Sequence, residues 1–232
     1  MQQTAKQPNT QTGTPDRTNR YAIIVAGGSG SRMRADVPKQ FLLLNGKPIL
    51  QRTIERFQAV SPVPQLIVVL PARDRPTWAT LCEQHHFFPD VLLVDGGATR
   101  FQSVRNGLSA IRADEGLVAV HDGVRPFVSP DIIANSYVTA ARTGSAVACV
   151  PAKDSVRQVG TDGRSVALDR SALRLVQTPQ TFRLDWFRRS FAVAEQPHFT
   201  DCASVLEYAG FPITLIDGSY ENIKITTPDD LR

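Results

Sequence analysis

Short, almost uninterrupted apolar runs alternate along this chain with longer stretches in which apolar residues recur at helical spacing. YAIIVAG (21–27), QLIVVL (65–70), VLLVDGG (91–97), LVAVHD (117–122) and SAVACVP (145–151) each predict a buried strand. Between them, PILQRTIERFQ (48–58), DRPTWATLCEQH (74–85), TRFQSVRNGLSAIR (99–112) and PDIIANSYVTAAR (130–142) predict helices. Phe101, Val104, Leu108 and Ile111 fall on one helical face, and Pro48 suits a first helical turn. Strands with few polar interruptions, separated by helices, predict an α/β fold. Its mostly parallel, Rossmann-like sheet should be covered by helices on both faces.

The pattern changes after Pro151. KDSVRQVGTDGRSVALDR (153–170) alternates apolar and polar residues, with Asp162-Gly163 between two runs, and predicts a projecting β-hairpin arm. So polar an arm cannot fold alone and is expected to pack on another subunit. LDWFRRSFAVAE (184–195) and TDCASVLEYAG (200–210) predict helices, the second ending at Gly210. ITLIDG (213–218) and NIKIT (222–226) predict short closing strands. Residues 1–20, rich in Gln, Thr, Asn and Pro, cannot build a core and read as a disordered leader. The expectation is a single domain over 21–232.

Length and charge agree with that picture and exclude several classes. A chain of 232 residues suits one large domain. The net charge of +4, from 26 basic and 22 acidic residues, is small. No element carries a basic stripe, so a nucleic-acid partner is not expected. Cys82, Cys149 and Cys202 are far apart and show neither metal-ligand nor disulfide spacing. They read as reduced thiols of a cytoplasmic protein. No apolar run approaches the ~20 residues of a membrane span, and the N-terminus lacks the apolar region of a secretory signal.

Parallel sheets bind ligands beyond the carboxyl ends of their strands. That rule points to 27–39, 95–100, 121–126 and 151–155. The first is the strongest local signal. In VAGGSGSRMRADVPKQF (25–41), a strand runs into Gly27, Gly28 and Gly30, whose backbone N–H groups can approach a phosphate without a Cβ in the way. Arg32 and Lys39 add two cations to the same loop. The P-loop pattern is absent, and Met33 breaks the dinucleotide fingerprint. Taken alone, a Gly-Gly-x-Gly turn with solvated charges is an equal alternative. HDGVRPF (121–127) places Asp122 at a carboxyl edge, where a carboxylate suits Mg²⁺ or simply caps a turn. His121 reads as a structural hydrogen-bonder.

AGGSGSRM followed by PKQF resembles the signature loop of sugar-nucleotide-type nucleotidyltransferases. VDGGATRFQSV, HDGVRPF, PAKDSVR, LDRSALRLVQTPQTF, TDCAS and NIKIT follow in order. Together they resemble the 2-C-methyl-D-erythritol 4-phosphate cytidylyltransferase family over about Tyr21 to Leu231.

The resemblance implies transfer of CMP from CTP to that polyol phosphate, with release of pyrophosphate, in non-mevalonate isoprenoid precursor biosynthesis. It implies that Ala26, Gly27, Gly28 and Gly30 wrap the triphosphate, and that Asp95, Gly96, Gly97 and Ser103 hold the nucleotide. Arg32 and Lys39 would stabilise charge as pyrophosphate leaves. Asp122 would serve the metal and the substrate end, and Arg125 the substrate phosphate. Asp154 and Ser155 would lie on the polyol side, with Thr178 and Thr200 in contact with substrate. Lys224 would orient the attacking phosphate. Arg170 would reach into the partner of a homodimer built through the arm. The expected cofactor is Mg²⁺ or another divalent cation. Cys202 stands where the family carries an acidic residue, and the family is expected to continue past Leu231-Arg232 into a terminal helix. Two alternatives share these motifs: a ribitol 5-phosphate cytidylyltransferase and a non-catalytic nucleotide-sensing subunit.

Overall fold

The computed structural model describes residues 18–28 and 37–231. Five of the predicted strands form where the apolar runs are. They are β1 (Arg20–Val25), β4 (Gln65–Leu70), β5 (Val91–Asp95), β6 (Leu117–Asp122) and β7 (Ser145–Pro151). A two-residue ribbon, β2 (Leu43–Leu44) and β3 (Lys47–Pro48), turns at Asn45-Gly46. Both turn residues have positive φ, 47° and 77°, as a tight hairpin requires. The arm is β8 (Val156–Val159) paired antiparallel with β9 (Ser165–Leu168) as a separate two-stranded sheet. β10 (Arg174–Arg183) and β11 (Leu215–Asp217) complete the set.

The main sheet runs β11-β7-β10-β6-β1-β4-β5. All its pairings are parallel except those of β10, which lies antiparallel between β6 and β7. The chain builds outward from β1 through β4 to β5, then returns to β6 on the other side of β1. The strand order therefore reverses at the β1–β6 pair, which places the ligand crevice beyond the ends of those two strands. Because β10 is antiparallel, its first residues reach that same edge.

The helices are α1 (Ile49–Gln58), α2 (Arg75–Gln84), α3 (Arg100–Ser109), α4 (Pro130–Thr143), α5 (Leu184–Phe191) and α6 (Cys202–Tyr208). They cover both faces, as period-two alternation demands of a buried strand. In β1, Ala22 and Ile24 pack into one core with Leu50, Ile54 and Phe57 of α1, Trp78 of α2, and Ile133 and Tyr137 of α4. Tyr21 and Ile23 pack into a second core with Phe101, Val104 and Leu108 of α3, Phe187 and Phe191 of α5, and Val205 and Leu206 of α6. Local signals set the helix ends. Thr99 and Ser129 accept N-cap hydrogen bonds from Gln102 and Ile132. Gly144 ends α4 at φ +89°, under the Trp186 ring. Asp201 and Ser204 form a capping box on α6.

Three expectations need correction. NIKIT is no strand: 222–226 is irregular, because its groups bond to β10 and to the 122–126 turn instead of to a neighbouring ladder. Arg20, assigned to the leader, opens β1, and the Asn19 carbonyl accepts from Leu117 at 2.8 Å. Residues 1–17, the remainder of that leader, lie outside the described residues. Pro48 sits at the N-cap of α1 rather than in its first turn. Among the described residues no helix is long and apolar enough to cross a membrane.

Candidate active site

A cavity of about 510 Å³ opens where the strand order reverses. Ala26, Gly27 and Gly28 leave β1 along one wall; Gly97, from the β5–α3 turn, and Ser103, in the first turn of α3, form another. The two walls are close-fitted. A Cβ on Gly96 would stand 3.3 Å from Ser103 Oγ, and one on Gly97 would collide with Gln102. Ser103 Oγ accepts the Gly97 N–H at 3.0 Å, which fixes the turn in a shape that only glycine fits. Lys39, nine-tenths buried, lies against Gly28. Asp122 and Lys224 also line the cavity. A smaller cavity of about 230 Å³ adjoins it, lined by Arg125, Thr178, Thr200 and Asp201. Arg100, Asp122 and Lys224 line both.

Asp122 is the electrostatic hub between the two cavities. Its Oδ2 is 3.0 Å from Lys224 Nζ and 3.5 Å from Arg125 Nε, and its Oδ1 is 3.6 Å from Arg100 Nη2. Burial alone would raise its pKa. The opposing charges of Arg100, Lys224 and Arg125 outweigh that and hold the carboxyl well below the usual carboxylate range. Its backbone N–H donates to Thr178 Oγ1 at 3.1 Å.

Neighbouring elements latch the turn that follows Asp122. Gly123 N–H donates to Val25 O, and Thr53 Oγ1 donates to Gly123 O. Ile225 N–H donates to Val124 O, and Arg56 Nε to Pro126 O. Arg125 Nη1 donates to Asn222 O at 2.7 Å. The same segment is tied to β10 by Asn222 Nδ2, which donates to Thr178 O at 2.8 Å. These bonds replace the closing strand that the sequence suggested, and they deliver Lys224 to the cavity.

The remaining sequence-derived residues lie elsewhere. Gly30 and Arg32 fall in 29–36, outside the described residues. The Asp95 carboxylate turns away from the cavity to Arg75, 2.8 Å from its Nε. Asp154, Ser155 and Arg170 are exposed at the root of the arm and line neither cavity. There Arg170 Nη1 donates to the Lys153 carbonyl. The sequence reading overlooked Arg100, although a signal existed. A cation at the first position of α3 opposes the helix dipole, and an acidic partner resolves the conflict. Arg100 finds Asp122 there, and it also donates to Cys202 Sγ at 3.3 Å. Burial raises the Cys202 pKa, so the sulfur stays a neutral thiol.

The chain matches the family model described as 2-C-methyl-D-erythritol 4-phosphate cytidylyltransferase over residues 21–232. The chain belongs to this family. Proteins of that name from Porphyromonas gingivalis and Bacteroides thetaiotaomicron are similar to it. The first is 48% identical over 216 residues, covering 93% of this chain and 96% of its own. The second is 46% identical over 210 residues, covering 90% and 95%. The crystal structure of the 4-diphosphocytidyl-2C-methyl-D-erythritol synthase from Anaerococcus prevotii superposes with a TM-score of 0.79 at 26% identity, over 92% of this chain and 93% of that one. The mostly parallel α/β architecture is thus the architecture of the cytidylyltransferase family.

Proposed function

We propose that this chain transfers CMP from CTP to 2-C-methyl-D-erythritol 4-phosphate. The products are 4-diphosphocytidyl-2-C-methyl-D-erythritol and pyrophosphate, in non-mevalonate isoprenoid precursor biosynthesis. One observation carries the reading. Lys39 and Lys224 arrive from distant stretches of sequence at one cavity, which is floored by Gly27, Gly28 and Gly97 and centred on Asp122. Membership of the cytidylyltransferase family supports the choice of substrates.

The reaction is an in-line displacement. A phosphate oxygen of the polyol phosphate attacks the α-phosphorus of CTP, the α–β bridging P–O bond breaks, and its electron pair leaves on pyrophosphate. The attacking phosphate is already ionised at neutral pH, so no general base is required, and catalysis reduces to positioning and charge stabilisation. Lys39 faces the triphosphate, and the family resemblance gives Arg32, outside the described residues, the same charge-stabilising role. Lys224 and Arg125 face the incoming phosphate, beside Thr178 and Thr200. Ala26, Gly27, Gly28, Gly96, Gly97 and Ser103 shape the nucleotide wall; the family resemblance assigns Gly30, outside the described residues, to the triphosphate as well. Asp95 contributes backbone alone, since its carboxylate is paired with Arg75.

A divalent cation fits the residues present. Among the described residues no group of three His, Cys, Asp or Glu could hold a metal. Asp122 offers one ionised carboxylate at the cavity, and Mg²⁺ characteristically combines one or two carboxylates with substrate phosphates. Bound there, it would neutralise charge on the transferring phosphates.

The arm serves a second copy of the chain. Val159, Val166, Leu175 and Val176 are exposed on and beside it, a poor surface for a monomer. Asp154, Ser155 and Arg170 would complete the polyol side of the partner's site. The chain from Asn19 onward acts as one domain. The three cysteines are free thiols, which fits a reducing cytoplasm.

Pyrophosphate release, measured with four nucleoside triphosphates against 2-C-methyl-D-erythritol 4-phosphate and ribitol 5-phosphate, tests the proposal. Turnover with CTP and the methylerythritol acceptor is expected. Preference for ribitol phosphate would reassign the acceptor, and no release with any pair would point to a nucleotide-sensing role.

A further inference from the structure

We infer that His121 is a positioning residue for transfer: its imidazole holds the Arg125 carbonyl and thereby fixes the turn that presents Asp122 and Arg125 to the site. The inference deepens the transfer reading and rests on it.

His121 is wholly buried at the end of β6, one residue before Asp122. Its Nε2 lies 3.1 Å from the Arg125 carbonyl oxygen. A carbonyl only accepts, so Nε2 carries the proton and Nδ1 is bare. Among the described residues Nδ1 has no hydrogen-bond partner. The ring meets Phe57 of α1 edge-on, with centroids 5.0 Å apart, so packing fixes its plane. A neutral donor in a dry place is what this geometry demands, and burial does keep the imidazole neutral.

The contact matters because of where it closes. The Arg125 N–H returns to Asp122 O at 3.1 Å. The Arg125 side chain meanwhile spans from Asp122 to the Asn222 carbonyl. The carbonyl–imidazole bond is therefore the latch at the Arg125 carbonyl itself, on the backbone from which a substrate cation and the hub carboxylate both project. Without it, the Arg125 carbonyl would seek another donor and the turn would shift under both side chains. A displacement of about 1 Å at reacting groups costs on the order of 10²-fold in rate.

Side-chain length gives a test that separates positioning from packing. A glutamine amide nitrogen reaches the place of Nε2, whereas an asparagine amide stops at the place of Nδ1. His121→Gln should keep kcat within about threefold of the wild type. His121→Phe, which retains the ring against Phe57, should lose about 10–10²-fold in kcat, with the KM for CTP little changed. If the Phe variant does not fold, His121→Asn carries the same expectation. Equal loss in the Gln and Phe variants, or full kcat in the Phe or Asn variant, would overturn the inference. The ¹⁵N spectrum of the wild-type imidazole, assigned with the Gln variant, should show the Nε2–H tautomer at neutral pH; the Nδ1–H tautomer would overturn it as well. A wild type inactive on every nucleotide and acceptor would overturn the transfer reading instead, and the spectrum would still decide the hydrogen bond.

Discussion

Acid should weaken this protein through His121 before it reaches the carboxylates. Burial pushes the His121 pKa down from 6.5 to about 4; hydrogen bonding to the Arg125 carbonyl and the nearby Asp122 charge oppose the shift, while Arg125 and Arg100 reinforce it. The sign follows from proton binding. As pH falls, the unfolded imidazole takes up its proton near 6.5 and the native one resists until about 4, so acid favours the unfolded chain. The contribution is intact above the unfolded value and is lost as pH drops toward the native one. Between pH 7 and pH 4.5 those two values correspond to about 2.5 kcal/mol, a sizeable part of the ~5–15 kcal/mol typical of a domain. Asp122, with its depressed pKa, acts in the same direction at still lower pH. Comparison with His121→Gln isolates the imidazole, because the other groups titrate in both proteins. Urea unfolding of the two, in metal-free buffer at pH 7 and 4.5, should show the stability difference moving in favour of glutamine by about 2.5 kcal/mol. A pH-independent difference would refute the reasoning, since it would mean that the imidazole is charged in the native state or reaches solvent.

Other substitutions probe the scaffold and the site. Gly107→Ala would bring a Cβ to 2.8 Å from Ile23 Cγ2 and 3.0 Å from Val69 Cγ2; despite the better helix former, a loss of about 1–3 kcal/mol is expected in denaturant unfolding, and unchanged stability would show that α3 has room to move. Lys39→Ala should lower kcat by on the order of 10²–10³ while calorimetry still detects CTP binding; near-normal turnover would remove Lys39 from the mechanism. Mixing Arg170→Ala with Lys39→Ala subunits should restore activity, since one site in each mixed dimer keeps both cations. No recovery, once subunit exchange is verified, would place Arg170 outside the partner's site.

The inner parallel strands were legible because they are buried on both faces and so are nearly pure hydrocarbon in sequence; the edge strand β5 is only partly buried, yet its run VLLV reads the same way. β10 was not. RLVQTPQTFR contains Pro179, which cannot donate to a ladder and so argues against a strand. The chain accommodates it with a register shift between Val176 and Gln180. Strand direction is not encoded in such a pattern at all, so nothing local announced that β10 lies antiparallel at the heart of the sheet. NIKIT misled for the opposite reason. Asn222 and Ile225 are buried like strand residues, yet they are satisfied by Thr178 and Val124, residues distant in sequence. Of the site, the glycines and Lys39 could be read locally. Arg100 could not be assigned until α3 was seen to aim it at Asp122. The family resemblance made Asp95 a nucleotide contact, and its pairing with Arg75 became visible only in three dimensions.

Asp122 poses the remaining electrostatic question, because a site for polyanions has a carboxylate at its centre. Among the described residues, the larger cavity is lined by Lys39, Arg73, Arg100 and Lys224 against this single acid. The chain's small overall excess of charge therefore understates the local field, which a concave site focuses. Asp122 keeps Arg100, Arg125 and Lys224 converged. It also competes with any incoming phosphate for those cations. Asp122→Asn removes the competitor and leaves the shape. In chelator-containing buffer, where no metal contributes, the variant should bind inorganic pyrophosphate about fivefold more tightly, the equivalent of about one partly exposed ion pair. Its kcat with Mg²⁺ should collapse, because among the described residues the same carboxylate is the one acid lining the larger cavity where a metal would meet the transferring phosphates. Calorimetry with pyrophosphate separates the two roles. Weaker metal-free binding in the variant would mean that Asp122 organises the cations more than it competes with them, and would refute the competition.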